Sequence, residues 1–340
     1  MFFTPVGWLW VGLLVIFLVV STYMERKAAM RGSNRSPLPE WADKALRTYF
    51  YLLVILPLCL WFPWVVSPLA VLYYPSFIDG SERTGSRKSQ WFYEWRIWRF
   101  VKWYFSLKVV GEQKLENRQY IIGVHPHGFL PIGTMTALLT PVANAKEVVF
   151  NGVAPLSLAA SMCFYIPIYR DFCLAAGFVD AARYNALRIL NSGGTLMLVP
   201  GGATEALYCY PGKHVAYLKS RKGFIKLALE TGAWLVPVYS FGEVELYGQM
   251  SASFPLIKKL QKKFQAVFGL SLPIVTNLIP RCKAITPCVG RPIPVQKVDH
   301  PTDAQVTALL EQYSRGLLEV FNKHAPDYIP NEAERKLEII

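Results

Sequence analysis

The chain has 340 residues, 53% of them hydrophobic, and a formal net charge of +13 at pH 7. A chain of this length accommodates one large α/β domain with a small attachment, or two modest domains. Its basic residues alternate with apolar ones and form no polar basic tail, which favours an anionic membrane surface as the partner and argues against nucleic acid.

Two apolar segments near the N-terminus predict a membrane-embedded helical hairpin. The first, residues 6–24, has no charge over 19 residues, which is about the length that a helix needs to cross a bilayer. The second, residues 49–74, is also uncharged but contains Pro57, Pro63 and Pro68, which bend or end a helix. Basic residues flank both segments, which favours a hairpin whose connecting loop does not cross the membrane completely.

Residues 90–105 predict an interfacial helix at the start of the second domain. Aromatic rings there are interleaved with three basic residues, namely Arg96, Arg99 and Lys102. This pattern places rings at the depth of lipid headgroups and cations near lipid phosphates, whereas the same pattern in a single-strand nucleic-acid binder would not follow a membrane hairpin. The predicted division is a membrane hairpin at 1–78 and a second domain at 79–340.

After Lys108, short apolar runs alternate with longer helical stretches, which predicts an α/β domain with a mostly parallel sheet and flanking helices. The predicted strands are 120–124, 147–153, 195–199, 235–241 and 285–289. A helix is predicted at 219–231, and Thr302 with Gln305 forms a capping box before a final helix. The apolar face of that final helix consists of Val306, Leu309, Leu310, Tyr313 and Leu317.

The motif His125-Pro126-His127-Gly128 directly follows the predicted strand 120–124. Ligands of parallel α/β sheets meet the carboxyl ends of strands, so this position favours a functional role for the two histidines. Neutral imidazole can take a proton from an attacking hydroxyl near pH 7, which makes one histidine a candidate general base, while the other can satisfy loop backbone groups. Because no acidic ligand lies nearby and the cysteines lack a metal-binding spacing, we predict no metal.

A second candidate lies in "LVPGGATEAL". Gly201 and Gly202 let the backbone approach a ligand and can present N–H groups to an oxyanion or a phosphate, although paired glycines also mark any tight turn. The carboxylate of Glu205 can orient a histidine, bind an acceptor hydroxyl, or simply favour a helix N-terminus. The basic residues that follow, including Arg221 and Lys222, suit either a ligand site or a solvated helix face.

Four blocks occur in order: "HPHG" from His125, "YRDFCLAAGFVDAARYNALRIL" from Tyr169, "PGGATEAL" from Pro200, and "RKGFIKLALETGAWLVPVYSFGE" from Arg221. Together they resemble the type-2 diacylglycerol acyltransferase family, which includes monoacylglycerol and wax-alcohol acyltransferases. The resemblance implies a glycerolipid acyltransferase-like fold and a membrane-bound enzyme of the endoplasmic reticulum and lipid droplets, with its catalytic domain facing the cytosol. It also implies acyl-CoA and a neutral-lipid acceptor as substrates, and no cofactor.

The resemblance also assigns roles to the two histidines. Relatives that carry Glu-Pro-His in place of His-Pro-His imply that His127 is the general base and His125 a supporting residue. The usual His-x4-Asp signature of the glycerolipid acyltransferase fold is absent, because the fifth residue after His125 is Leu130 and the fifth after His127 is Ile132. The base therefore uses Glu205 as its partner or works without a carboxylate.

The implied reaction is direct transfer, in which the deprotonated acceptor hydroxyl attacks the thioester without an acyl-enzyme. Pro126 and the N–H groups near Gly128, Gly201 or Gly202 are assigned to the substrate and its oxyanion. The candidate ligands of the CoA phosphates are Arg183, Arg221 and Lys222.

The predicted acceptor is diacylglycerol, because "HPTDAQVTALLEQYSRGLLEVFNKH" and the compact N-terminus resemble diacylglycerol acyltransferases outside animals. Monoacylglycerol and long-chain alcohols are the alternative acceptors, and a non-catalytic lipid-binding membrane protein is the alternative function. A lysophosphatidate acyltransferase is disfavoured by the missing His-x4-Asp. The sequence is also compatible with a homo-oligomer.

Overall fold

The computed structural model describes residues 63–249 and 274–340, together with residues 41, 44, 45, 47–49, 51, 52, 55, 56, 256, 259–261 and 263. The predicted membrane segment 6–24 lies outside these residues, and the segment 49–74 lies only partly within them. Along the described residues, no helix is both long enough and apolar enough to cross a membrane.

The helices whose bounds fall within the described ranges are α1 (Pro63–Phe77), α2 (Gln90–Tyr93), α3 (Arg96–Tyr104), α4 (Ile132–Leu139), α5 (Tyr169–Ala175), α6 (Arg183–Asn191), α7 (Gly202–Ala206), α8 (Gly223–Thr231) and α9 (Asp303–Tyr328). The strands there are β1 (Val110–Gly111), β2 (Tyr120–His125), β3 (Leu156–Ala159), β4 (Phe178–Asp180), β5 (Leu196–Leu198), β6 (His214–Ala216), β7 (Trp234–Phe241), β8 (Thr286–Val289) and β9 (Leu337–Ile339).

The chain folds into two compact units. The smaller unit comprises Met1–Lys88 and Ala159–Ala186, and the larger unit comprises Ser89–Leu158 and Leu187–Ile340. This division by compactness does not test the predicted membrane hairpin at 1–78 or the predicted catalytic domain at 79–340, and both stay predictions.

A cluster of buried charges stabilises the smaller unit. Arg170 on α5 is fully buried, and its guanidinium lies 2.6 Å from Asp79 and 2.9 Å from Glu82. Glu82 is fully buried as well and pairs with Arg47 at 3.0 Å. A buried charge without a partner is strongly unfavourable, so these side chains depend on one another.

The larger unit holds six strands of the main sheet, in the spatial order β1, β8, β7, β2, β5 and β3. β2 pairs in parallel with both β5 and β7, and β3 pairs in parallel with β5. β8 is antiparallel to β7 and parallel to β1. The prediction of a mostly parallel α/β sheet is therefore confirmed. β2 is buried along its whole length, as expected for a strand that is covered on both faces.

The predicted strand at 147–153 is wrong. Lys146–Phe150 forms a π-helix, with Asn144 before it and Asn151 after it in the left-handed backbone region, at φ 57° and 46°. Asparagine tolerates this region better than most residues, so the segment can turn at both ends. Its apolar, β-branched composition favoured a strand, but the turns at both ends override that preference. The neighbouring strand, β3, begins only at Leu156.

The single predicted helix at 90–105 is divided into α2 and α3. Trp95, which precedes α3, is extended, with ψ 136°. The indole N–H of Trp98 donates to the carbonyl oxygen of Phe92 at 2.6 Å, and in a continuous helix this carbonyl would accept from the N–H of Arg96. The backbone turns at Trp95, and the Phe92 carbonyl accepts from the Trp98 indole and from the Trp95 N–H at 3.3 Å.

The remaining local predictions are confirmed. β2, β5, β7 and β8 coincide with the other four predicted strands, and α8 lies within the predicted helix 219–231. Thr302 and Gln305 make both hydrogen bonds of the capping box before α9. The five predicted apolar residues of α9 are all buried.

Candidate active site

Three loops follow the carboxyl ends of neighbouring strands in the larger unit. β2 ends at His125, the turn with Gly201 and Gly202 follows β5, and Glu243 follows β7. Because β5 and β7 flank β2 and run parallel to it, these loops emerge at the same edge of the sheet.

The fully buried carboxylate of Glu205, just after the glycine turn, connects that turn to the loop of the two histidines and to the segment after β6. Its Oε1 accepts a hydrogen bond from the backbone N–H of His127 at 2.8 Å, and its Oε2 accepts from the backbone N–H of Tyr217 at 2.8 Å. Oε2 also lies 3.2 Å from Nδ1 of His125. Gly201 makes room for this carboxylate, since a Cβ atom there would lie 2.2 Å from Oε2.

The ring of His125 is fully buried, and both of its nitrogens are engaged. Nδ1 faces Glu205, and Nε2 lies 3.2 Å from the hydroxyl of Tyr313 on α9. The Tyr313 hydroxyl also lies 3.1 Å from the carbonyl oxygen of Gly123. A side chain at position 123 would leave no space for this hydroxyl, because its Cβ atom would overlap with it. His125 therefore holds the loop in place and does not present a nitrogen to solvent.

The ring of His127 is half-buried and has a different environment. Its Nδ1 lies 3.1 Å from the carbonyl oxygen of Gly128, which can only accept, so the contact assigns the proton to Nδ1. Loss of hydration lowers the pKa of His127, although the Gly128 carbonyl and the Glu205 carboxylate act in the opposite direction. Among the described residues, no atom forms a hydrogen bond with Nε2, which leaves its lone pair available.

The carboxylate therefore serves the two histidines differently. The carboxylate of Glu205 contacts the ring of His125, but it contacts only the backbone of His127. The sequence left open whether the predicted base has a carboxylate partner. Among the described residues, no carboxylate forms a hydrogen bond with the His127 ring. The hydrogen bond that the ring does form there is with the Gly128 carbonyl.

The structure places the other predicted loop residues around the same turn. Pro126 is buried and follows a cis peptide bond. Gly128 and Gly202 both have left-handed backbones, at φ 59° and 52°. The N–H of Gly202 donates to the carbonyl oxygen of Val199 at 3.0 Å, so this group is already engaged and is not a free oxyanion donor.

The three predicted phosphate-binding cations lie in different surroundings. Arg221 donates to the carbonyl oxygen of Gly201 at 3.3 Å and therefore lies beside the glycine turn. Lys222 instead contacts the hydroxyl of Thr307 on α9 at 3.4 Å. Arg183 begins α6 and belongs to the smaller unit.

Glu243 is a buried acidic residue of the site that the sequence analysis did not select. Its carboxylate accepts from the N–H groups of Gly133 at 3.3 Å and Thr134 at 2.8 Å, at the start of α4, and from the Thr134 hydroxyl at 2.6 Å. Burial raises the pKa of Glu243 to about 7, because desolvation outweighs these three donors. The signal was present in the sequence, since Glu243 follows the predicted strand 235–241 at its carboxyl end.

This arrangement can perform acid–base chemistry at a hydroxyl group. A neutral imidazole with one fixed proton offers Nε2 as a base, and the buried residues behind it hold its loop. In the part of the chain that the structure describes, no group of three His, Cys, Asp or Glu side chains could hold a metal ion.

Comparison with known proteins identifies the family. The model of the family "Diacylglycerol acyltransferase" matches residues 57–339. Diacylglycerol O-acyltransferase 2 from Danio rerio is 35% identical over 288 residues, which are 80% of this chain and 79% of that protein. 2-Acylglycerol O-acyltransferase 1 from Bos taurus is 35% identical over 258 residues, which are 72% of this chain and 77% of that protein.

Among solved structures, the 1-acyl-sn-glycerophosphate (LPA) acyltransferase PlsC from Thermotoga maritima aligns with a TM-score of 0.40 and 14% identity, over 82% of this chain and 97% of that chain. The family match covers far more than half of the sequence and includes both histidines, the glycine turn and Glu243. The protein is thus an acyltransferase, and the chain belongs to the diacylglycerol acyltransferase family.

Proposed function

We propose that the protein transfers a fatty acyl group from acyl-CoA to the free hydroxyl of diacylglycerol. The observation that carries this proposal is the ring of His127, whose bonded Nδ1 leaves an unprotonated Nε2 beyond the carboxyl end of β2. The 35% identity to diacylglycerol O-acyltransferase 2, whose name states both the reaction and the acceptor, supports the choice of substrates.

In the proposed mechanism, the oxygen of the acceptor hydroxyl attacks the carbonyl carbon of the thioester, while Nε2 of His127 takes the proton of that hydroxyl. The N–H group of Gly201 stabilises the resulting oxyanion. Collapse of the tetrahedral intermediate breaks the carbon–sulfur bond, and the CoA thiolate takes the proton back from Nε2. A lowered pKa of His127 suits both steps, because the ring is neutral before attack and readily acidic afterwards.

His125 and Glu205 act as positioning residues in this scheme. Glu205 holds the backbone N–H of His127, and His125 is held between Glu205 and Tyr313. Their interactions keep the loop in the conformation in which Nε2 of His127 faces the substrate. Arg221, beside the glycine turn, is the best placed of the three cations to bind a CoA phosphate.

The reaction is placed at the cytosolic surface of the endoplasmic reticulum membrane and of lipid droplets, since diacylglycerol stays in the bilayer while acyl-CoA comes from the cytosol. The hairpin at 6–24 and 49–74 anchors the chain, and the catalytic domain has a glycerolipid acyltransferase-like fold. The side chains of Phe100 and Trp103 on α3, 53% and 72% exposed, support a membrane-facing surface.

Monoacylglycerol is the second candidate acceptor. The bovine 2-acylglycerol O-acyltransferase 1 is as similar to this chain, at 35% identity, as the Danio rerio diacylglycerol enzyme. Both acceptors present a glycerol hydroxyl to the base, so the same histidine chemistry serves either one.

The test gives membranes that contain the protein labelled oleoyl-CoA and one acceptor at a time: diacylglycerol, monoacylglycerol or a long-chain alcohol. We expect labelled triacylglycerol as the main product, and His127→Ala should lower its rate by about 10²- to 10⁴-fold because the general base is lost. The matched control is His300→Ala, which removes an exposed histidine. Wax ester as the main product would refute the acceptor, and near-normal activity of His127→Ala would refute the mechanism.

A further inference from the structure

A groove beside α3 lies outside the site formed by His125, His127 and Glu205. Its cavity volume is about 420 Å³, which is in the range of small-molecule sites. Arg99 and Lys102 of α3 line it together with Trp95, which lies between α2 and α3. Pro141 and Val142, which follow α4, complete the lining with Tyr93 and Glu94. We call this feature the α3 groove.

The α3 groove carries positive charge that its own residues do not neutralise. Arg99 and Lys102 are both exposed, and neither takes part in an ion pair with another described residue. Glu94 is the acidic residue of the lining, and its carboxylate accepts a hydrogen bond from the side-chain amide of Gln90 at 3.1 Å. The two cations outnumber the one carboxylate of the lining and form no ion pair with a described residue, so they are available to a phosphate group.

The exposed edge of α3 is apolar. Ile97, Phe100 and Trp103 are 49%, 53% and 72% exposed, and they alternate along the helix with the basic residues. A soluble anion would gain nothing from these side chains. An anionic phospholipid can place its phosphate on the two cations and its acyl chains against the neighbouring rings. The combination of charge and exposed rings thus favours a lipid over a free phosphate.

The α3 groove is also connected to the loop of the two histidines. Behind α3, Val101 and Tyr104 pack on a buried cluster that includes Tyr247, and Phe129 packs on the same cluster. Phe129 follows Gly128 directly, and its ring meets that of Tyr247 edge to face with centroids 4.8 Å apart. Packing contacts therefore run from α3 through the Tyr247 cluster to Phe129, the residue that follows the histidine motif.

We infer that the α3 groove binds the phosphate-bearing headgroup of an anionic phospholipid, with Arg99 and Lys102 as ligands of the phosphate. This inference rests on the proposed function in so far as that function places α3 at a membrane surface. The bound lipid is distinct from the neutral acceptor, which carries no phosphate, and its site does not include the histidines.

The experiment reconstitutes the full chain in nanodiscs of phosphatidylcholine with a minor fraction of phosphatidylserine, transfers it to detergent, and counts the retained lipids by native mass spectrometry. We expect the wild type to retain phosphatidylserine selectively. Arg99→Ala/Lys102→Ala should reduce this selectivity by at least roughly tenfold, because the variant loses the charge-assisted hydrogen bonds of both cations to the bound phosphate.

The matched control removes the same charge outside the α3 groove. Arg96→Ala/Lys108→Ala changes two exposed cations of the same region that do not line the groove. Its selectivity should stay close to that of the wild type. An equal loss in both double variants would show diffuse attraction to the membrane and overturn the inference.

Two competitors distinguish the sources of the phosphate. Glycerol 3-phosphate and CoA are added separately during the transfer to detergent, and neither should displace phosphatidylserine at equal concentration. Displacement by either one would identify the site as one for soluble phosphates and overturn the lipid assignment. Acyl transfer measured on the same preparations separates the two proposals. A wild type that retains phosphatidylserine but is inactive would refute only the proposed function. A wild type that is active but shows no selectivity for phosphatidylserine would refute only lipid binding in the α3 groove.

Discussion

The rings of His125 and His127 differ in which of their nitrogens are engaged. His125 is fully buried between Glu205 and Tyr313, with both nitrogens in contact with a polar partner. His127 uses only Nδ1, which donates to the Gly128 carbonyl. The two histidines of one motif are therefore suited to different tasks, one to holding the loop and the other to moving a proton.

The lowered pKa of His127 predicts the acidic limb of the pH–rate profile. Loss of hydration moves this pKa below 6.5, so the imidazole keeps its free lone pair at mildly acidic pH. We expect kcat/KM for the acceptor to fall only as the pH drops through a midpoint below 6.5. Initial rates at saturating acyl-CoA, measured across this range, check the midpoint. A midpoint at or above the ordinary histidine value would contradict the assignment of His127 as the base.

The raised pKa of Glu243 predicts that stability depends on pH. Its folded-state pKa is about 7, against an ordinary value of 4.5, so the folded protein binds more protons than the unfolded chain between these values. Stability should therefore fall as the pH rises through this window, by up to about 3 kcal/mol for this one group. Thermal unfolding of the wild type in detergent, at pH values across the window, measures the slope.

Glu243→Gln is the matched variant for that measurement. The amide does not titrate, so the variant should lose most of the slope. The amide NH₂ also faces the N–H groups of α4, which lowers stability at low pH by about 1–3 kcal/mol. Identical slopes for the wild type and Glu243→Gln would show that another group carries the pH dependence.

At the scale of elements, the short strands β6 and β9 hold the partner of Glu205. Tyr217, whose N–H donates to the Glu205 carboxylate, directly follows β6, which pairs in parallel with β9. The N–H groups of Leu218 and Lys219 both donate to the carbonyl oxygen of Ile340, at 2.8 and 2.9 Å. The last residues of the chain thus fix the backbone on both sides of Tyr217.

Deletion of residues 337–340 should therefore reduce acyl transfer by at least about tenfold, which corresponds to about 1.4 kcal/mol and to roughly one or two backbone hydrogen bonds. The expected cause is movement of the Tyr217 N–H away from Glu205. Glu338→Ala is the control, since this side chain is 45% exposed and makes only a surface ion pair with Lys213. Activity assays and thermal unfolding on both variants check the prediction, and full activity of the deletion variant would contradict it.

At the scale of the whole molecule, the two compact units are stabilised differently. The larger unit contains six strands of the main sheet and both histidines. The buried carboxylate of Glu205 in this unit accepts hydrogen bonds from backbone N–H groups. The smaller unit contains a buried ion pair between Arg170 and Glu82, and Arg170 also pairs with the exposed Asp79. Removing one partner of a buried pair leaves the remaining charge less well compensated in the interior.

We expect Arg170→Met to lower the free energy of unfolding by about 3 kcal/mol, because the buried carboxylate of Glu82 loses one of its two buried cationic partners and keeps the other, Arg47. Arg188→Met, which removes an exposed arginine of α6, should cost less than about 1 kcal/mol. Thermal unfolding of both variants in detergent compares the two. Equal stability would show that the buried pairs contribute nothing to the smaller unit.

Most local elements and the family could be predicted from the sequence. The apolar runs of β2, β5, β7 and β8 and the capping box of α9 are signals within a few residues, and four blocks in a fixed order were enough to indicate an acyltransferase of this family. Local signals failed where a nearby side chain or turn competed with them. The extended backbone at Trp95 divides the helix predicted at 90–105, and turns at Asn144 and Asn151 flank a π-helix in place of the strand predicted at 147–153.

The groups that the two histidines contact could not be predicted from the sequence. Glu205 is 80 residues from His125 in sequence, and Tyr313 is 188 residues from it. No local pattern encodes such contacts, because they arise from parallel strand order and from the packing of α9 on the sheet. The same order brings Glu243 to the start of α4. The sequence could name the motif, but the difference between a buried supporting histidine and one with a free nitrogen exists only in three dimensions.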